Sequence, residues 1–149
     1  MELREQDMTS LRRLLDEAEI RNLIARVAHL ADDGDIDEYL SHWCEDASWG
    51  GSGRPLLSGQ DALRAGVLQR REEGIQGPGA GTRHVNTTLW VEVDVPAGTA
   101  SAQSYFVLLA PEKDTNGHRV ARTGRYDDRF RRTADGWKFV SRQITAEVN

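Results

Sequence analysis

The spacing of apolar residues changes once along this chain, and this change restricts the possible folds more than any other feature. Between residues 10 and 73 the apolar positions recur every three or four residues, as in helices, with a short interruption at 47–57. Between residues 82 and 146 they alternate, as in half-buried β-strands. Helices followed by consecutive strands predict an α+β fold without the βαβ alternation of nucleotide-binding folds.

The first half of the chain predicts three helices and a small hairpin. Ser10 can cap the first helix and Gly34 follows its end, so residues 1–9 are expected to be loose. Trp43 lies on the apolar face predicted for the second helix. The predicted elements are a helix over 10–33, a helix from 36 to 44–46, a hairpin over 47–57 and a helix that starts within 58–61 and runs to about 73.

The second half predicts four long strands joined as an antiparallel meander, over 82–95, 99–110, 119–132 and 137–146. Strict alternation along the first strand places His84 and Asn86 on one face. The opposite face then carries an apolar row formed by Val85, Leu89, Val91 and Val93. Such a row is expected to be covered by another copy, so the sequence predicts a homo-oligomer, a dimer in preference to a trimer.

The composition favours a single domain in a cytoplasmic protein. A chain of 149 residues has the usual length of one domain. No apolar run approaches 18 residues, and the charged start of the chain lacks the apolar core of a signal peptide, so no membrane partner is expected. Since the net charge is −5, a general nucleic-acid-binding surface is not expected either.

Sequence motifs for phosphate or metal binding are weak. The glycine-rich stretch 77–81 lacks the register of a phosphate-binding loop and does not lead from a strand into a helix. Cys44, the single cysteine, lies at the end of an apolar helix face, where a buried and unreactive thiol is expected. No pair of histidines or cysteines has a metal-ligand spacing, so no metal site is predicted.

Two polar positions are candidates for chemistry. Asp32 lies near the end of the first predicted helix, at the border of its apolar stripe. His84 lies at the start of the first long strand. A solvated carboxylate and a structurally satisfied histidine are the simpler interpretations, and spacing alone does not bring the two residues together.

Four stretches of the chain carry a resemblance to a known family. They are Glu19–Asp35, Trp43–Trp49, Thr82–Thr87, and Thr123–Asp128 together with Gly136–Phe139 and Arg142. In this order they resemble the nuclear transport factor 2-like superfamily, in its SnoaL-like dehydratase and cyclase branch. The resemblance covers residues 15–146 and implies a cone. In this cone a curved antiparallel sheet, made of the four long strands and the short hairpin, surrounds a pocket that the three helices close.

The resemblance also implies a mechanism. In similar dehydratases and dehydrochlorinases an aspartate near the end of the first helix orients a histidine on the first long strand, and Asp32 and His84 match these positions. A neutral imidazole can act as a general base at neutral pH, and the aspartate fixes its tautomer. The implied activity is that of a lyase or isomerase (a dehydratase, isomerase or cyclase) that requires neither a metal nor an organic cofactor.

The implied substrate is a small hydrophobic molecule with one polar end. Tyr126 is the first candidate to donate a hydrogen bond to its oxygen, and Asn86 is the second. Trp49, Phe106 and Tyr39 are expected to form walls of the pocket. The chain departs from the similar dehydratases at one point, because its first helix contains no tyrosine near Asp32.

Two alternatives to an enzyme remain open. The stretches Arg83–Thr87 and Gly124–Arg132 also resemble the small subunit of Rieske-type aromatic-ring dioxygenases, which shares the cone and serves as a structural partner of a catalytic chain. A cone that binds a ligand without catalysis is the other alternative. Neither alternative needs a working base at His84.

Overall fold

The computed structural model of the protein describes residues 4–146 and confirms the α+β class. Two helices precede two short strands, a third helix follows these strands, and four long strands complete the described chain. The helices are α1 (Glu5–Asp33), α2 (Ile36–Ser41) and α3 (Gln60–Glu72). The strands are β1 (Trp43–Gly51), β2 (Arg54–Ser58), β3 (Arg83–Asp94), β4 (Thr99–Pro111), β5 (His118–Thr133) and β6 (Gly136–Ala146).

The strands form one curved, unclosed sheet in the order β2-β1-β6-β5-β4-β3. The four long strands pair as the expected antiparallel meander. β1 and β6, however, are parallel, so the expectation of a wholly antiparallel sheet is wrong at this one pair. No tight turn links these two strands, and their relative direction is therefore not set by a hairpin as it is for the other pairs.

α1 begins earlier than the sequence suggested. It starts at Glu5, so residues 5–9 are helical rather than loose, and residues 1–3 of the expected loose segment lie outside the described part. Acidic residues in the first turn, Glu5 and Asp7, suit the positive end of a helix. Leu15 fits the apolar spacing of the predicted helix but is 56% exposed, because α1 meets the sheet only from Asp16 onward.

Asp16 fixes α1 against the end of β5 and the start of β6. Its carboxylate accepts hydrogen bonds from Trp137 Nε1 at 3.0 Å and from Arg132. Burial opposes ionisation of Asp16, but the hydrogen bonds from Trp137, Arg12 and Arg132 outweigh it and lower the pKa of this carboxyl. These contacts fix the direction in which α1 runs towards Asp32. None of the helices in the described part of the chain is long and apolar enough to cross a membrane.

The second helix is shorter than expected. It ends at Ser41, and Trp43 begins β1 instead of completing the helix. Residues 44–46 are likewise part of β1. Trp43 is still buried, because its ring stacks on Phe139 with 4.6 Å between centroids. An aromatic side chain fits a pleated, half-buried surface well, and this packing outweighs the helical spacing read from the sequence.

A bulge in β3 exchanges the faces of that strand. Thr88 has a φ of 49°, and the register with β4 shifts between Thr87 and Trp90. Beyond the bulge, Val91 packs in the core with Leu89 and Val93 against it. The predicted outward row is therefore wrong, because the extra residue turns its second half inward.

Candidate functional site

A pocket lies between the helices and the inner face of the sheet. Together with the open solvent at its mouth, the pocket spans about 780 Å³. Its walls include six of the residues proposed from the sequence, which are Tyr39, Trp49, His84, Asn86, Phe106 and Tyr126. The seventh, Asp32, lies directly against His84. The structure thus brings all seven candidates together at one site, and their chemical roles remain predictions.

Asp32 contacts His84 twice. One carboxylate oxygen lies 2.6 Å from His84 Nδ1, and the other accepts the backbone N–H of His84 at 2.9 Å. Asp32 is only 6% exposed, and the side chain of His84 is 15% exposed. The last turn of α1 supplies the aspartate and the start of β3 supplies the histidine, so the contact depends on the docking of α1 against β3.

This double contact determines the tautomer of His84. An ionised carboxylate can only accept hydrogen bonds, so the hydrogen of a neutral imidazole is placed on Nδ1. The other ring nitrogen, Nε2, then carries a free lone pair. His84 lines the pocket, and Nε2 is the ring nitrogen that Asp32 leaves free. A carboxylate that contacts one imidazole nitrogen and leaves the other free is the arrangement in which a histidine can act as a general base.

Tyr126 and Phe106 form an aromatic wall. Their rings stack with 4.5 Å between centroids. Gly124 makes this possible, because a Cβ at that position would come within 2.8 Å of the Phe106 ring. Burial, as the largest cause, raises the pKa of Tyr126 to about 12. The phenol therefore keeps its hydrogen at neutral pH and can donate it in a hydrogen bond.

A buried ion pair supports this wall. Arg142 donates to both oxygens of Asp128 at 2.8 and 2.9 Å, and its guanidinium lies 3.9 Å from the centroid of Tyr126. Sequence reasoning did not identify this pair. A signal was present, since Asp128 shares the inward face of β5 with Tyr126 and Phe130, and a carboxylate there requires a partner.

Arg70 is a second residue that sequence reasoning missed. It lies on the buried face of α3 with Leu63 and Val67, at helical spacing, and is itself 9% exposed. Its guanidinium lies 4.3 Å from the centroid of Trp49, and its Nε donates to Gln76 Oε1 at 3.3 Å. A charged residue on an otherwise apolar stripe was the available signal.

Several polar atoms of the pocket residues have no partner within the described structure. They are the two side-chain polar atoms of Asn86 and the Nε2 atom of Gln76. Buried polar groups are normally hydrogen-bonded, so these atoms suit a polar ligand. Within residues 4–146, no group of three or more His, Cys, Asp or Glu side chains is arranged to hold a metal ion.

Comparison with protein families identifies the class of this protein. The family model for the SnoaL-like domain matches residues 12–143, which is most of the chain. The chain therefore belongs to the SnoaL-like domain family, and the resemblance seen in the sequence is confirmed. A search of curated protein sequences found no match.

Solved structures show the same fold. An NTF2-like protein with a cystatin-like fold from Novosphingobium aromaticivorans is 28% identical, with a TM-score of 0.83 over 96% of this chain and 90% of that chain. ActVI-ORFA from Streptomyces coelicolor is 22% identical, with a TM-score of 0.74 over 88% and 97%. A protein proposed to be a scytalone dehydratase, also from N. aromaticivorans, is 16% identical, with a TM-score of 0.72 over 91% and 86%.

Proposed function

We propose that this protein is a cofactor-independent enzyme of the lyase or isomerase type, in which His84 removes a proton from a small apolar substrate. The observation that carries the proposal is the double contact between Asp32 and His84, which engages Nδ1 and leaves Nε2 free in a residue that lines the pocket. The SnoaL-like family and the similarity to a protein proposed as a scytalone dehydratase support the same class of chemistry.

The proposed first step is proton removal from a carbon next to a carbonyl group. The C–H bond breaks, the proton moves to Nε2 of His84, and the electron pair becomes an enolate on the carbonyl oxygen. Asp32 stabilises the imidazolium that forms, because its carboxylate already contacts Nδ1. Elimination, isomerisation and cyclisation can all continue from this enolate.

The enolate oxygen, or a leaving oxygen, requires a hydrogen-bond donor. Tyr126 is the first candidate, since it lines the pocket and its raised pKa keeps the phenol protonated. Asn86 is the second, because it also lines the pocket and its amide nitrogen has no partner in the described structure. A donor placed at a developing oxyanion contributes about 3–4 kcal/mol to such a reaction.

Solvent exchange of carbon-bound hydrogen tests this proposal without knowledge of the product. A panel of cyclic ketones and hydroxy-ketones is incubated with the protein in deuterated buffer, and exchange beside the carbonyl is followed by proton NMR. We expect the native protein to accelerate exchange in at least one compound. His84→Ala should lower that rate about 10²–10⁴-fold, the usual contribution of a general base.

The matched control is His118→Ala, which removes an exposed histidine whose Nε2 contacts the Gly81 carbonyl oxygen. This variant should exchange hydrogen at the native rate. Exchange that survives His84→Ala would show that another base does the work. Exchange in no compound would favour the two interpretations without catalysis, a dioxygenase small subunit or a ligand-binding cone, which stay predictions.

We also propose that the protein is a homo-oligomer, a dimer in preference to a trimer, in the cytoplasm. The row predicted from the sequence no longer supports this, but the outer face of β3 and β4 does. Trp90 is 61% exposed and Tyr105 is 50% exposed, and both lie on this face near Val85. Large exposed apolar side chains that adjoin one another are typical of interaction surfaces.

Light scattering at micromolar concentration should give twice the mass of one chain for the native protein. Trp90→Glu should give the monomer mass, because a carboxylate in a buried interface has no partner. Leu68→Glu is the control, since Leu68 is a comparably exposed apolar residue on α3, away from this face. A native protein of monomer mass, or a dimeric Trp90→Glu variant, would contradict the proposed interface.

A further inference from the structure

The pocket has a positive wall although the whole chain is negative. Arginines line it at its mouth and inside, whereas no aspartate or glutamate of the described chain forms part of the lining. The net charge of the chain is nevertheless −5. Arg142 is neutralised by Asp128, but Arg54, Arg70 and Arg122 form no ion pair with a described carboxylate. A concentration of one charge in a cleft attracts ligands of the opposite charge.

Arg70 is the innermost of these unpaired arginines. It is 9% exposed, and no described carboxylate lies within 4.0 Å of its nitrogens. Its guanidinium packs on the neutral Trp49 ring and donates to Gln76 Oε1, and the carboxylate of Glu73 acts on it only from beyond ion-pair distance. Burial lowers the pKa of Arg70, yet a guanidinium remains charged at neutral pH. A buried charge without a counter-ion is costly and is rarely retained for stability.

Gln76 provides an independent second observation. It is buried, and its Oε1 accepts from Arg70 Nε, which places its amide group beside the guanidinium. The other amide atom, Nε2, has no hydrogen-bond partner in the described structure. Gln76 and Arg70 both line the pocket. Arg70 and Gln76 are therefore adjacent and buried. Arg70 supplies a positive charge, and Gln76 supplies an amide donor that has no partner.

We propose that Arg70 and Gln76 bind a carboxylate group of the substrate, so that the ligand of this pocket is an apolar organic anion rather than a neutral molecule. The planar fork of a guanidinium matches the two oxygens of a carboxylate, and the Gln76 amide adds a third donor. The aromatic wall of Phe106 and Tyr126 accommodates the apolar body. This inference rests on the proposed function, since it assumes that the pocket receives a substrate.

Binding of matched acids and esters tests the inference. The probes are benzoate, 2-naphthoate and anthracene-9-carboxylate, each with its methyl ester, measured by isothermal titration or ligand-observed NMR. We expect at least one acid to bind the native protein at least tenfold more tightly than its ester. Arg70→Gln should weaken that acid about 10- to 100-fold and change ester binding less than twofold.

Arg64→Gln is the control, because Arg64 lies on the same helix but is exposed and paired with Asp37. This variant should bind the acid like the native protein. Arg70→Gln should fold with little change in thermal stability, because the removal of a buried charge that no carboxylate contacts offsets the weakened contacts with Trp49 and Gln76. If it does not fold, Arg70→Lys tests the same contact, and it should retain part of the preference for the acid over the ester.

Three results would overturn the inference. They are equal binding of acid and ester by the native protein, native-like acid binding by a folded Arg70→Gln variant, and no binding of any of the three acids at millimolar concentration. His84→Ala separates this inference from the proposed catalysis. This variant should keep acid binding while losing hydrogen exchange. A protein that shows no preference for the acid could still use His84 as a general base. A protein without exchange could still prefer the acid over the ester.

Discussion

Asp128→Ala is expected to lower the free energy of unfolding by about 3–5 kcal/mol. Asp128 is 2% exposed and holds Arg142 through two hydrogen bonds of 2.8 and 2.9 Å. Burial raises the pKa of Asp128, although the Arg142 guanidinium acts in the opposite direction. Burial by itself lowers the pKa of Arg142, but the contacts with Asp128 outweigh it and raise this pKa. Removal of the carboxylate leaves a buried guanidinium uncompensated, and this is the source of the large effect. Urea unfolding followed by tryptophan fluorescence measures it.

The neighbouring Asp127→Ala is the matched control. Asp127 makes a partly exposed ion pair with Arg125, so its loss should cost less than about 1 kcal/mol. The double variant Asp128→Leu with Arg142→Met should be more stable than Asp128→Ala, because no unpaired charge remains. An Asp128→Ala variant within about 1 kcal/mol of the native protein would show that the pair contributes little to holding the Tyr126 wall.

The change in the spacing of apolar residues was sufficient to predict the α+β fold class and most strand boundaries. β4, β5 and β6 begin and end within about two residues of their predicted limits, because alternation is regular where one face of a sheet is buried. The bulge at Thr88 could not be predicted in the same way. Neither glycine nor a turn residue marks it, and valines on both sides of it give an unbroken pattern.

The first helix shows the limit of helical spacing as a guide to burial. Leu15 belongs to the same stripe as Ile20 and Leu23, yet only the latter two are buried. The spacing defines a face of the helix, whereas the length of the sheet determines how much of that face is covered. The start of contact at Asp16 follows from its hydrogen bond with Trp137, which lies 121 residues further along the chain.

The contact between Asp32 and His84 could not be derived from local pattern. These residues are 52 positions apart and meet where a helix end packs on a strand start. Only the resemblance to a family brought them together before the structure did. Arg70 is the opposite case, since its place on an apolar stripe was visible in the sequence, but the absence of a counter-ion became apparent only from the packing of α3.

Asp32→Asn is expected to reduce hydrogen exchange about 10²–10⁴-fold, nearly as much as loss of His84 itself. The reason lies in the two contacts of the carboxylate. Asp32 accepts from the His84 backbone N–H and contacts Nδ1, and the backbone group can act only as a donor. An asparagine has one accepting oxygen and one donating amide, so it cannot satisfy both donors.

In the Asp32→Asn variant the amide oxygen is therefore expected to turn towards the backbone N–H, with the NH₂ group facing Nδ1. Nδ1 must then accept, which moves the imidazole hydrogen to Nε2 and removes the lone pair that abstracts the proton. The asparagine side chain has the same shape as the aspartate and can still make both hydrogen bonds. The free energy of unfolding should therefore fall by only about 1 kcal/mol. This variant is thus expected to lose activity while it keeps most of its stability.

Measurement of the exchange rate and of urea unfolding on the same preparation checks the separation, with nitrogen chemical shifts of the His84 ring reporting the tautomer. Asp33→Asn is the control, because Asp33 is the exposed neighbour and makes no contact with His84. It should leave exchange and ring shifts unchanged. The orienting role of Asp32 is wrong if Asp32→Asn retains native exchange. It is also wrong if exchange is lost while Nε2 stays unprotonated, because an orienting carboxylate links the exchange rate to the tautomer.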